Sequence, residues 1–175
     1  MGRDGKLNSG VVLRFKALFF DWLFICSYLA ALLVVASVFY FLVLDGVPEF
    51  TPLQTQLIAA LTSTLPVTII FSIFEGRGEF ASWGKGKVNL EVSYIGKPIQ
   101  GAIMRNIFKF LPWQFGHMST INGMYNGFET PFSIVFLVLS MVLPILLVMM
   151  VVIRKDNRHL GDILAGSRVV HKQST

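Results

Sequence analysis

The sequence predicts an all-α membrane protein: a small helical bundle of three clear transmembrane helices and a short basic amphipathic or crossing helix, with a small β pair on the cytoplasmic side. Three observations lead there. Of 175 residues, 54% are apolar and only 14% charged, where a soluble domain carries about 25% charged. Nearly uncharged runs of twenty or more residues recur, and the fifteen Lys and Arg are confined to three segments between them. Such a chain is neither a disordered polymer nor a disulfide scaffold nor an ordinary cytosolic enzyme. Its single cysteine, Cys26, lies inside an apolar run and reads as a small buried hydrophobe.

The chain reads as one membrane domain over 1–175. Residues 1–16 are basic and precede a first span over 17–44, whose one charge is Asp21. At about 1.5 Å per residue this run is roughly 42 Å long, more than the roughly 30 Å hydrocarbon core. The internal acid and the lack of a small-residue cleavage site make it a retained span rather than a signal peptide. The turn Asp45-Gly46-Val47-Pro48-Glu49-Phe50-Thr51-Pro52 breaks the helix. A second span covers 53–74, with Thr62, Ser63, Thr64 and Thr68 around Pro66. Proline offers no N–H to the carbonyl of Thr62, four residues back, so that acceptor is left for a side chain, water or an ion.

Residues 75–98 form a mixed segment in which Val88 to Tyr94 alternates with the period of a strand. Residues 99–117 have helical periodicity: Ile103, Ile107, Phe108 and Leu111 share one face, Arg105 and Lys109 another. Two arrangements fit, an interfacial helix or a short crossing whose basic residues snorkel to one surface. The last span covers 132–153, with Pro144 near its middle, and 154–175 forms a basic tail.

Charge counting favours four passages. Four Lys or Arg precede the first span, six (Arg77, Lys85, Lys87, Lys97, Arg105, Lys109) lie in the middle, and five follow Ile153, which accounts for all fifteen. If 99–117 reaches the far side, every one is cytoplasmic, with both termini inside a cell (inner) membrane, as the positive-inside rule requires. The bilayer explains the basic balance without nucleic acid.

Arg14 and Asp21 are seven apart, about 20° from eclipsed on one helix face, with Asp21 roughly 10 Å deeper. An acid at that depth needs a polar cavity or a cation, as a structural ion pair or as an ion or proton site. Arg14-Phe15-Lys16-Ala17-Leu18-Phe19-Phe20-Asp21-Trp22 resembles the opening of the RDD family of bacterial membrane proteins. Ser82-Trp83-Gly84-Lys85 is similar to the family's Thr-Leu-Gly-Lys turn, and Arg105-Asn106 to its Arg-Asn helix start. The stretch Leu160-Gly161-Asp162-Ile163-Leu164-Ala165-Gly166-Ser167-Arg168-Val169-Val170 resembles its closing motif, with Gly161 where His is usual and His159 two residues away. The resemblance implies a role in transport, cation/proton exchange having been proposed for some members.

Gly84-Lys85 before Val88–Val92 and Gly161-Asp162 before Arg168–Val170 share an outline: a glycine, a charge, then a β-prone run. The two strands are therefore expected to pair and to bring Lys85 to Asp162. Arg158 and Asp162 are an i, i+4 pair if that segment is helical, and His117, near the end of the basic helix, is either a group that titrates near neutral pH or simply a solvated or interfacial imidazole. No phosphate loop, zinc spacing, nucleophile elbow or cofactor motif occurs, so an enzyme is not expected. The leading expectation is cation- or proton-linked transport of an unidentified ion or small molecule, with Asp21 as the buried carboxylate. Thr68 and the backbone freed by Pro66 would be neutral ligands, and Arg14 or Arg105 the competing charge. The rival is a non-transporting scaffold or regulatory subunit. The partners in either case are the bilayer and a second copy or a membrane partner protein.

Overall fold

The computed structural model describes residues 4–172, with side chains from Gly10 onward. Arg3, the Lys6 side chain and the tail 173–175 lie outside that range. Helix α1 runs over Asp4–Leu42, so it begins well before the apolar run; no proline interrupts the basic stretch ahead of it. It ends where Asp45 and Gly46 take positive φ (59° and 142°), the reversal that glycine and aspartate tolerate best. Thr51 and Gln54 form a reciprocal capping box that starts α2 (Pro52–Ala59).

The second span is one continuous rod made of three pieces. After α2, Ala60–Thr64 forms a π-helical turn, and α3 follows over Leu65–Gly76. The Leu65 N–H reaches back five residues to the carbonyl of Ala60, so the ladder has already slipped before Pro66. The hydroxyl of Tyr28 donates to the Thr62 carbonyl at 2.6 Å. The acceptor that proline leaves vacant is thus taken by a side chain of α1, which ties the two spans together mid-helix.

Ser82 caps the one-turn helix α4 (Trp83–Lys87) and leads into β1 (Leu90–Tyr94). Helix α5 covers Pro98–Asn126, 29 residues, and is not the short element expected over 99–117. The polar residues that looked like its end are satisfied by neighbouring helices. His117 Nε2 lies 3.1 Å from Ser63 Oγ, and Ser119 Oγ donates to the Ser133 carbonyl at 2.8 Å. Asn122 Nδ2 donates to Thr130 Oγ1 and Ser133 Oγ, each at 2.9 Å. Buried polar groups with partners cost a helix little, and only residues 127–130 remain as a loop before α6 (Pro131–Ile153).

Helix α7 (Leu160–Leu164) and β2 (Ser167–His171) complete the chain. β1 and β2 pair antiparallel, Val92 opposite Val169, as the repeated outline predicts. Val67, Phe71 and Phe110 form a buried centre between α3 and α5, with Phe24, Ile25 and Tyr28 of α1 packed on it. Three stretches, Gly10–Leu42, Pro52–Gly76 and Pro131–Ile153, are long and apolar enough to cross a membrane. Their large apolar side chains are mostly exposed, Leu33, Leu53 and Met141 each above 60%, as lipid-facing surface would be. The Tyr125 hydroxyl donates to the Phe50 carbonyl at 2.7 Å, so the end of α5 meets the α1–α2 turn at one end of the bundle. The sheet, α4 and α7 gather at the other.

Candidate functional site

Three acids and three cations are enclosed at the sheet end. Asp21, Glu75 and Asp162 are 2%, 0% and 0% exposed, and Lys85 and Arg105 are buried almost as fully. Asp21 of α1 accepts from Ser82 Oγ at 2.9 Å and from the Gly84 N–H at 2.8 Å. Lys109 Nζ approaches its Oδ2 to 3.4 Å and Lys85 Nζ to 4.0 Å. Glu75, in the last turn of α3, takes Lys85 Nζ at 2.5 Å, Asn106 Nδ2 at 3.2 Å and Arg105 Nε at 3.6 Å. Asp162 of α7 lies 3.1 Å from Arg105 Nε and 3.5 Å from His159 Nε2, and accepts from Ser167 Oγ at 3.3 Å. With all six ionised the group is neutral, which is how buried charge is tolerated.

Local geometry brings these groups together. Gly84 sits so close to α1 that a Cβ there would lie 2.0 Å from the Ala17 carbonyl oxygen; its absence lets the backbone N–H reach Asp21. Lys109 also lies over the rings of Phe71 (4.3 Å) and Phe110 (5.1 Å), a cation–π contact that offsets part of its desolvation. Burial pushes the Lys85 ammonium below its ordinary pKa, while Glu75 pulls the other way. Burial also raises the Tyr94 phenol, which faces the Arg105 guanidinium.

Burial lowers the His159 imidazole to about 4, outweighing the attraction of Asp162, and Arg105 adds to the depression. A histidine with a folded pKa below its unfolded value contributes stability above about 6.5 and loses it as pH falls toward 4. The melting temperature is therefore expected to drop between pH 6.5 and 4.5. His159→Asn, which removes the titrating ring and puts a residue favoured at helix N-caps in its place, should flatten that part of the profile. An unchanged slope in the variant would assign the titration to another group.

The residues singled out from the sequence do not all converge. Arg14, Asp21, Lys85 and Arg105 line one cavity of about 220 Å³, and Asp162 stands behind Arg105. Arg14 does not pair with Asp21; its guanidinium donates to the carbonyls of Asn157 and of Val169, the latter at 3.0 Å. Lys85 and Asp162 are not partners either: the strands pair, but Lys85 is drawn to Glu75 and Asp21, and Asp162 to Arg105. Arg158 reaches the Asp162 backbone carbonyl at 3.1 Å and not its carboxylate. Thr68 is occupied by its own helix, donating to the Thr64 carbonyl at 2.7 Å, and neither it nor Pro66 lines the cavity. Glu75, Lys109, Asn106 and Ser82 carry much of the site without having been assigned to it. The available signal for Glu75 was an acid in the final turn of an apolar run, one that a lone snorkelling reading of Arg105 and Lys109 leaves unmatched.

Fold and site together have the character of an α-helical membrane protein with a buried ionic interior. No family model, curated protein or solved structure matches the chain.

Proposed function

We propose that this is a four-pass protein of the RDD type in a cell (inner) membrane, both termini cytoplasmic, acting as a membrane scaffold or regulatory subunit. Its buried charges serve as a lock between helices. Four passages are supported by α5, which at about 1.5 Å per residue is roughly 43 Å long and joins the sheet end to the α1–α2 turn. They are supported too by the sorting of every Lys and Arg to one side that this arrangement gives. The RDD reading rests on the motif residues themselves, of which Asp21, Lys85, Arg105 and Asp162 belong to one ionic network and Arg14 lines the cavity beside it.

The observation that carries the scaffold role is the occupancy of Asp21. Two neutral donors and two ammonium groups already share its carboxylate, so a bound cation would have to displace Lys109 against the field of Lys85 and Arg105. One observation favours the transport reading instead, the cavity that reaches Asp21. Asp21→Asn separates them. As a scaffold, wild type and variant melt independently of Na⁺ and K⁺, show no flux in proteoliposomes, and differ only in stability. Ion-dependent stabilisation or flux in the wild type that disappears in Asp21→Asn would overturn the scaffold and establish transport. Single cysteines at Glu49 and Glu129 should label from outside and one at Lys155 only after permeabilisation; external labelling at Lys155 would overturn the topology.

A further inference from the structure

The cavity beside Asp21 is chemically lopsided. Its polar side is made by Arg14, Lys85, Arg105 and Lys109 with a single acid, Asp21, while Glu75 and Asp162 stand outside the lining. Its other walls are apolar: Phe15 and Leu18 of α1, Leu147, Val148 and Val151 of α6. Phe15, Leu18 and Val148 are 46%, 46% and 39% exposed, so these walls continue onto the outer surface of the bundle. Three buried nitrogens of lining residues have no hydrogen-bond partner, Arg105 Nε and Nη1 and His159 Nδ1, and of these Arg105 Nε has Asp162 at ion-pair distance. A buried guanidinium donor without an acceptor is unusual enough to call for one.

We propose that this cavity holds the headgroup of an anionic glycerophospholipid, its phosphate against Arg14, Arg105 and Lys109 and its acyl chains along the surface between α1 and α6. Charge complementarity and the unpartnered Arg105 donor specify an oxyanion, for which a guanidinium fork is well shaped. The apolar walls specify that the anion is attached to hydrocarbon. At about 220 Å³ the space is smaller than the roughly 300–1,000 Å³ of drug-sized ligand sites, suited to a headgroup with the chains left outside. The site lies where the basic segments meet the apolar spans, the level at which lipid phosphates sit. A lipid so placed would bridge α1 and α6, with α5 beneath.

The inference rests on the membrane reading and not on the choice between scaffold and transport. It is tested with the full chain in nanodiscs of phosphatidylcholine, of phosphatidylcholine with phosphatidylglycerol, and of phosphatidylcholine in buffer containing inorganic phosphate. Phosphatidylglycerol should raise the melting temperature by about 3 °C or more, and inorganic phosphate should not. Val148→Trp fills the apolar side without touching charge, and Arg14→Gln removes a cation whose present bonds are only to backbone carbonyls. Each should abolish the phosphatidylglycerol increment, whatever its own melting point in phosphatidylcholine. Equal melting in both lipid mixtures, or an increment that survives both substitutions, would overturn the site. An equal response to inorganic phosphate would assign the cavity to a soluble oxyanion and overturn the lipid. Failure to incorporate into any nanodisc would refute the membrane reading itself, a result distinct from these.

Discussion

Arg105→Ala is expected to destabilise the protein by about 3–5 kcal/mol, the cost of breaking a buried ion pair from one side. The guanidinium stands between two fully buried carboxylates, 3.1 Å from Asp162 and 3.6 Å from Glu75. Its removal leaves Glu75 with Lys85 and Asn106, but Asp162 with only Ser167 and a neutral His159. Arg105→Lys should recover part of the loss, since one ammonium can approach one carboxylate but lacks the fork that serves two. The double replacement Arg105→Met, Asp162→Asn should be more stable than Arg105→Ala, because the two acids that remain, Asp21 and Glu75, are matched by Lys85 and Lys109. Reversible denaturation in mixed micelles measures all three, and a single-variant loss below about 1 kcal/mol would show that water already reaches the pair.

Gly84→Val is expected to cost at least as much. A Cβ at this position meets the Ala17 carbonyl oxygen at 2.0 Å and Asp21 Oδ1 at 2.7 Å, both fixed in α1, so α4 has to move away. Overpacking of that kind costs about 1–3 kcal/mol, and the displaced Gly84 N–H and Ser82 hydroxyl are hydrogen bonds to a charge, each worth about 1.5–3 kcal/mol. Gly86 lies on the same one-turn helix with nothing within 4 Å of its would-be Cβ. Gly86→Ala should therefore be nearly neutral in the same assay. Equal losses at both positions would mean that α4 is destabilised by side chains in general and not by contact with α1.

The three long apolar helices were legible because their length and composition stand out directly in the sequence, and the β pair because two strand-like runs shared one outline. The α5 boundary was not. Ser119 and Asn122, beyond the helix expected over 99–117, read locally as a loop, and only their partners at the start of α6 make them helical. Periodicity also placed Arg105 and Lys109 on one face and Ile103 and Ile107 on another without telling which face points inward. Here Arg105 is 4% exposed while Ile103 and Ile107 are 44% and 45%, the reverse of a water-soluble helix and the natural orientation where the solvent is hydrocarbon. The pairing of charges was the least legible level. Lys85 had a choice of three acids, and nothing in spacing states that Glu75 would be the nearest.

The attachment of α7 and β2 gives synthesis of this protein a defined electrical order. Asp21, Glu75, Lys85, Arg105 and Lys109 all belong to segments made before α7, so the interior carries three cations against two acids until Asp162 arrives. The same late segment supplies the Val169 carbonyl that receives Arg14 and the strand that pairs with β1. A chain with every long helix already made still holds an excess positive charge in this interior until α7 docks and Asp162 takes its place beside Arg105.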